Sequence, residues 1–193
     1  MVKRSVLVVL IKGGQNRLLR RDTLAMDGKV FGNMSIKAID HREDVMEIAW
    51  ELLKNKNHCD YSMLSNRWDW HKTNILTLPF TSDCSGTVTA ICYYAHGNDP
   101  SGVDFAYGDT ETILNHATAH KLIISRTQLI HGDFILFGSG PKPEHVAMSM
   151  QNTAFHKDPQ CFSMGRQGDP SLVLLSVLST IGKPTFVRNV TRV

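Results

Sequence analysis

The chain has 193 residues, of which 42% are hydrophobic and 20% charged, and its net charge at pH 7 is +3. This length suits one domain, and the composition excludes a disordered chain, a collagen-like repeat and a disulfide-dense miniprotein. The small positive excess can favour an anionic polymer, but it does not by itself indicate nucleic-acid binding.

The first 39 residues predict a short β-rich extension. An apolar run at residues 5–11 stops at a Gly-Gly turn, and no small-residue cleavage site follows, so we expect no secretory signal. No run in the chain reaches the ~18 apolar residues of a membrane span, so no membrane partner is expected. The sequence thus divides into an N-terminal extension at 1–39 and one main domain at 40–193.

Three helices are predicted first in the main domain, and strands follow. Apolar residues at helical spacing predict a helix over about 41–55, and Ser82 with Asp83 can cap a second helix over 84–96. A third begins at Asp109 or Thr110. Apolar or alternating runs then predict strands at 134–137, 145–151, 171–177 and 185–190. Helices followed by strands, without βαβ alternation, indicate an α+β fold with an antiparallel sheet.

Four cysteines occur without a CxxC pair, at positions 59, 84, 92 and 161, so a zinc ribbon or a thioredoxin-like motif is not supported. A disulfide and separate thiols in a reduced compartment both fit their spacing. Cys84 opens the second predicted helix, where unpaired N–H groups and the macrodipole favour an anion and lower a thiol pKa. The same N–H groups can stabilise an oxyanion, so Cys84 is a candidate nucleophile.

His145 begins the predicted strand at 145–151, on the face that carries small residues, where a cleft can lie. The chain has nine histidines, so this position alone is not distinctive. His116 and His120 have the four-residue helical spacing that can bind zinc, but a solvated helix face is favoured because no third ligand is in view.

Three motifs, taken in order, resemble the NlpC-type family of papain-like cysteine peptidases, which cut bacterial cell-wall peptides. They are Asp-Cys-Ser-Gly at 83–86, Gly-Asp with an apolar strand at 132–137, and His-Val at 145–146. The sequences at 78–82 and 98–102 further resemble versions found in phages of Gram-positive bacteria. The resemblance covers about residues 41–193, and it implies a papain-like domain with N-terminal helices packed on a central antiparallel sheet.

The resemblance also implies a mechanism, in which His145 takes the thiol proton and Cys84 attacks an amide carbon of a stem peptide. It implies no metal and no organic cofactor. The family orients its histidine with a polar residue on the next strand, and His156 is the candidate here. If 152–159 is instead one long turn, Met164 stands where the phage versions carry histidine, and Gln167 is the alternative.

The leading hypothesis is a phage lysin or tail-associated enzyme that cleaves an amide bond of peptidoglycan stem peptides, with sugar–peptide amidase activity as a variant. Such an enzyme would act from the virion or from the host cytoplasm, with peptidoglycan and other phage tail proteins as partners. One alternative is a structural or wall-binding virion protein that has lost activity, which Met164 favours. Another is a cysteine peptidase or acyltransferase that acts on protein or lipid.

Overall fold

A computed structural model describes residues 42–72, 76, 78–96, 99–103, 105, 108–165 and 169–189. The predicted extension at 1–39 lies outside these residues, as does Gln167, so the statements made about them stay predictions. Within the described ranges, no helix is both long enough and apolar enough to cross a membrane.

The three predicted helices are confirmed. They are α1 at Arg42–Lys54, α2 at Cys84–His96 and α3 at Thr110–Ala119. The apolar stripe of α1 is buried, and α1 packs beside α2. Asp109 caps α3, because its side chain accepts a hydrogen bond of 2.9 Å from the N–H of Thr112.

Six strands, numbered after the two short strands β1 (residues 59–61) and β2 (residues 80–82), form one sheet: β3 at Ile123–Ile124, β4 at Phe134–Phe137, β5 at His145–Ser149, β6 at Gln160–Met164, β7 at Pro170–Leu174 and β8 at Pro184–Val187. Their order across the sheet is β3-β8-β4-β5-β6-β7, and every neighbouring pair is antiparallel. Together with the helices, this sheet confirms the α+β prediction.

The predicted strand at 171–177 is wrong in its second half. The strand β7 ends at Leu174, and the chain turns at once into a short helix, α4, at Leu175–Leu178. Leu175 and Leu178 are buried there against one face of the sheet. The apolar run therefore continues across the change from strand to helix, which periodicity cannot separate over so few residues.

The sheet is covered on both faces, which explains why all of β4 is apolar. Phe134 and Leu136 pack with the helices α1 and α2, whereas Ile135 and Phe137 pack with α4. Both sets of side chains are buried, so this strand lacks the polar alternation of a half-exposed strand.

Two short strands bring a further segment to the start of α2. The strands β1, at Cys59–Tyr61, and β2, at Phe80–Ser82, pair in parallel in a region between the first two helices for which no strand is predicted from the sequence. Tyr61 pairs with Ser82, and the N–H of Ser62 donates a hydrogen bond of 3.0 Å to the Ser82 carbonyl. This pairing places residues 62–67 beside the residues that precede Cys84.

Candidate active site

The start of α2 is held by the carboxylate of Asp83. Its Oδ1 accepts hydrogen bonds from the Gly86 N–H at 2.7 Å and from Ser85 Oγ at 3.0 Å, while Arg67 donates to its Oδ2. A Cβ atom at Gly86, in the first turn of α2, would collide with Ser82 Oγ, so a larger residue there would displace Ser82. The aspartate of the Asp-Cys-Ser-Gly motif therefore combines a helix cap with a partly buried ion pair to Arg67, and together they fix the position of Cys84.

Cys84 is buried at the first position of α2. Burial, with the charge of Asp83 as a smaller contribution, raises the pKa of its thiol to about 11, although hydrogen bonds from the backbone N–H groups of Val146 and Ser85 act in the opposite direction. The lowered thiol pKa expected from the helix terminus is therefore wrong for the free protein, because desolvation outweighs the N–H groups.

The sulfur of Cys84 lies where β5 and β6 separate. These strands pair through Met148 with Phe162 and through Ser149 with Cys161, at the end of β5 far from His145. The N–H of Val146 is directed instead to the Cys84 sulfur. The gap between the two strands thus brings the thiol against the backbone of the residue that follows His145.

His145 is buried at the first position of β5, and its ring contacts two uncharged side chains. Its Nε2 lies 2.9 Å from Ser163 Oγ, and its ring stacks on Phe137 with centroids 6.1 Å apart. Burial lowers the pKa of His145 to about 4, and the charge of Asp83 only partly opposes that shift. Cys84 and His145 are both described in full, and no direct hydrogen bond joins their side chains.

Ser163, rather than His156, makes the hydrogen bond to His145. The structure places His156 in the exposed turn between β5 and β6, where its N–H donates to the Asn152 carbonyl. Met164 is buried in the core that faces the helices. Ser163 was missed because its contact depends on the length of that turn and on the register of β6, and no local sequence signal sets either of them.

The Gly-Asp motif supports the sheet. Asp133 is fully buried, and its two carboxylate oxygens accept hydrogen bonds of 3.1 Å from the N–H groups of Ile130 and Asn189. Arg188 Nη1 lies 3.6 Å from the same carboxylate. This aspartate therefore ties the start of β4 to the segment after β8, and its role is structural.

His116 and His120 lie close together at the C-terminal end of α3, with ring centroids 4.3 Å apart. Burial is the main cause that lowers the pKa of His116, and the neighbouring His120 adds to it. Among the described residues, no group of three or more histidine, cysteine or acidic side chains is placed to hold a metal ion.

Comparison with known proteins supports the fold. A scan against protein-family models and a search of curated protein sequences find no match. Among solved structures, the chain is similar to the NlpC/p60 domain of the peptidoglycan hydrolase SagA, with 17% identity and a TM-score of 0.51. The likeness covers 77% of this chain and 98% of that domain. The protein therefore has the papain-like NlpC/p60 fold that the motifs predict.

Proposed function

We propose that the protein is a peptidoglycan hydrolase, and that it cleaves an amide bond of a stem peptide with Cys84 as nucleophile and His145 as base. The observation that carries the proposal is the position of the Cys84 sulfur, at the start of a helix and against the N–H of Val146, the residue next to His145. The NlpC/p60 fold supports the substrate class, since the similar domain comes from a peptidoglycan hydrolase.

The proposed reaction begins with two neutral groups, because the thiol pKa is raised to about 11 and the imidazole pKa is lowered to about 4. Nε2 of His145 donates its hydrogen to Ser163 Oγ, which leaves Nδ1 to accept the thiol proton. This transfer needs Nδ1 and Sγ to approach each other, as catalytic groups commonly do when substrate binds.

The sulfur then attacks the amide carbon, and the carbonyl oxygen becomes an oxyanion that the backbone N–H of Cys84 stabilises. The imidazolium returns its proton to the leaving amine as the C–N bond breaks. Water, deprotonated by the same imidazole, hydrolyses the thioester and restores the thiol. Every proton in this cycle passes through His145.

The source that we propose is a phage, in which the enzyme acts as a lysin or as part of the tail. The resemblance of residues 78–82 and 98–102 to phage versions supports this origin. Other tail proteins would then be its partners, and lysis or tail attachment would bring it to the cell wall.

A second candidate function is binding to the cell wall without hydrolysis. It is favoured by the missing hydrogen bond between Cys84 and His145 and by the raised thiol pKa, which together leave the nucleophile unactivated in the free protein. Binding of the protein to purified peptidoglycan without release of fragments would identify this function.

The test is digestion of purified peptidoglycan with the wild type, Cys84→Ala and Cys92→Ala, with released fragments identified by mass spectrometry. Cys92 is a matched control, because it is a buried thiol two turns further along α2. We expect fragments from the wild type and from Cys92→Ala, and a rate lower by about 10⁴-fold or more for Cys84→Ala. Equal rates for the wild type and Cys84→Ala, or no fragments from any protein, would contradict the proposal.

A further inference from the structure

We propose that Ser163 is the positioning residue of His145, and that its uncharged hydroxyl makes this site act through a neutral imidazole instead of a preformed thiolate–imidazolium pair. The proposal deepens the proposed function and rests on it for the identity of the nucleophile and base. Ser163 is the residue before Met164, which stands where the phage versions carry histidine, so the hydroxyl is the hydrogen-bond partner of the imidazole at a site that lacks that second histidine.

The first support is the geometry of the pair. His145 Nε2 and Ser163 Oγ are 2.9 Å apart, and the two residues are only 9% and 5% exposed. Continuing the pairing of Met148 with Phe162 places Ser163 opposite Ala147, on the same face as His145 and two residues along. A diagonal contact across two strands is within reach of these side chains, so the bond follows from the register.

The second support is the set of groups around the ring. On the side of β4 the ring meets Phe137, which carries no charge, and on the side of β6 it meets Ser163. From the start of α2, the carboxylate of Asp83 acts on the ring through its charge, and its oxygens are already bonded to Arg67 and to the Gly86 N–H. Glu144, the residue before His145, is exposed.

These surroundings determine the protonation state of the His145 imidazole. Of the described residues, none presents a carboxylate or a second imidazole in hydrogen-bond contact with His145. A hydroxyl accepts the Nε2 hydrogen and fixes the ring, but it brings no negative charge to stabilise an imidazolium. The lowered pKa of His145 and the raised pKa of Cys84 agree with a neutral pair at pH 7.

The first experiment needs no substrate. The rate at which iodoacetamide alkylates Cys84 follows the thiolate fraction, so its pH dependence reports the thiol pKa. All four cysteines are buried, so mass spectrometry is used to identify the alkylated residue and to follow Cys84 alone. We expect the wild type to react slowly at pH 7, with a rate that rises only above pH 9. For Ser163→Asp we expect this rise to begin at least about one pH unit lower, because a carboxylate stabilises the imidazolium and with it the thiolate.

The second experiment separates positioning from packing. With peptidoglycan as substrate, Ser163→Ala is expected to lower kcat about tenfold with little change in KM, the effect of one lost neutral hydrogen bond. Ser163→Thr keeps the hydroxyl and is expected to restore most of the rate, which a purely structural role would not require.

The outcomes that overturn the proposal are distinct from those that overturn the hydrolase function. A wild-type thiol that is already fully reactive at pH 7 shows a preformed ion pair and refutes the proposal, as does a Ser163→Ala variant with wild-type kcat. A third result would separate the two proposals: the protein releases no fragments, but alkylation of Cys84 becomes fast only above pH 9 in the wild type and at lower pH in Ser163→Asp. The hydrolase function would then be refuted, while the neutral state proposed for the imidazole would be supported.

Discussion

The two halves of the candidate site are held in place by different forces. At the start of α2, the thiol is positioned by a charged network in which Asp83 bonds Arg67 and the Gly86 N–H. In the gap between β5 and β6, the imidazole is positioned by a hydroxyl and an aromatic ring. Substitutions at the start of α2 should therefore change the stability of the fold and the charge near the thiol together. Substitutions between β5 and β6 should instead change the protonation and the orientation of the imidazole.

The largest effect is expected for Asp83→Ala, which removes the carboxylate that holds the charged network at the start of α2 together. The change removes the cap of α2, which is worth about 1 kcal/mol, and leaves Arg67 without the partner that compensates its partial burial. We expect the free energy of unfolding to fall by about 4 kcal/mol, measured by urea denaturation. Loss of the negative charge should also lower the pKa of Cys84, since Asp83 raises it.

A double-mutant cycle with Arg67→Ala provides the control. If the ion pair is the main contribution, Asp83→Ala should cost much less in the Arg67→Ala background, because no unpaired guanidinium is left. An equal cost in both backgrounds would show that the cap alone holds the start of α2. The two halves of the site would then differ less in their dependence on charge than their contacts indicate.

The next largest effect is a dependence of the free energy of unfolding on pH, which arises from His145 in the gap between β5 and β6. In the unfolded chain His145 takes a proton near its ordinary pKa of 6.5, but in the folded protein only near 4. The unfolded state therefore binds more protons between these values, so stability is fully present above pH 6.5 and is lost as the pH falls to about 4. The difference corresponds to about 3 kcal/mol.

The measurement is urea denaturation between pH 4 and 8 for the wild type and for His145→Gln, which cannot be protonated. The variant should lose less stability over the acid range. His116, whose pKa is also lowered, remains in both proteins, so its contribution cancels in the comparison. Parallel curves would show that His145 is protonated as easily in the folded protein as in the unfolded one.

The two halves also differ in how far they could be predicted from the sequence. The start of α2 and its cap depend on contacts within a few residues of Cys84, so the local sequence predicts them. The contact of Arg67 with Asp83 spans sixteen residues and was not predicted. The partner of His145 depends on where β6 returns after the turn at 152–159, and one residue of register exchanges the face of every side chain. His156 has a suitable chemistry and separation in sequence, but it lies in the exposed turn, and Ser163 occupies the contact.

The smallest effect is expected from substitutions of two phenylalanines that lie on opposite faces of β4. Phe134 and Phe137 are both buried, but only Phe137 stacks on His145, and Phe134 packs with the helices on the other face. Replacing either by leucine should lower the free energy of unfolding by about 1 kcal/mol, because the side chain stays apolar and nearly fills the same space. Only Phe137→Leu should also lower the rate of peptidoglycan cleavage, by about three- to tenfold, because the imidazole loses the ring that orients it. Equal rates for the two variants at equal stability would show that Ser163 alone holds His145 in place.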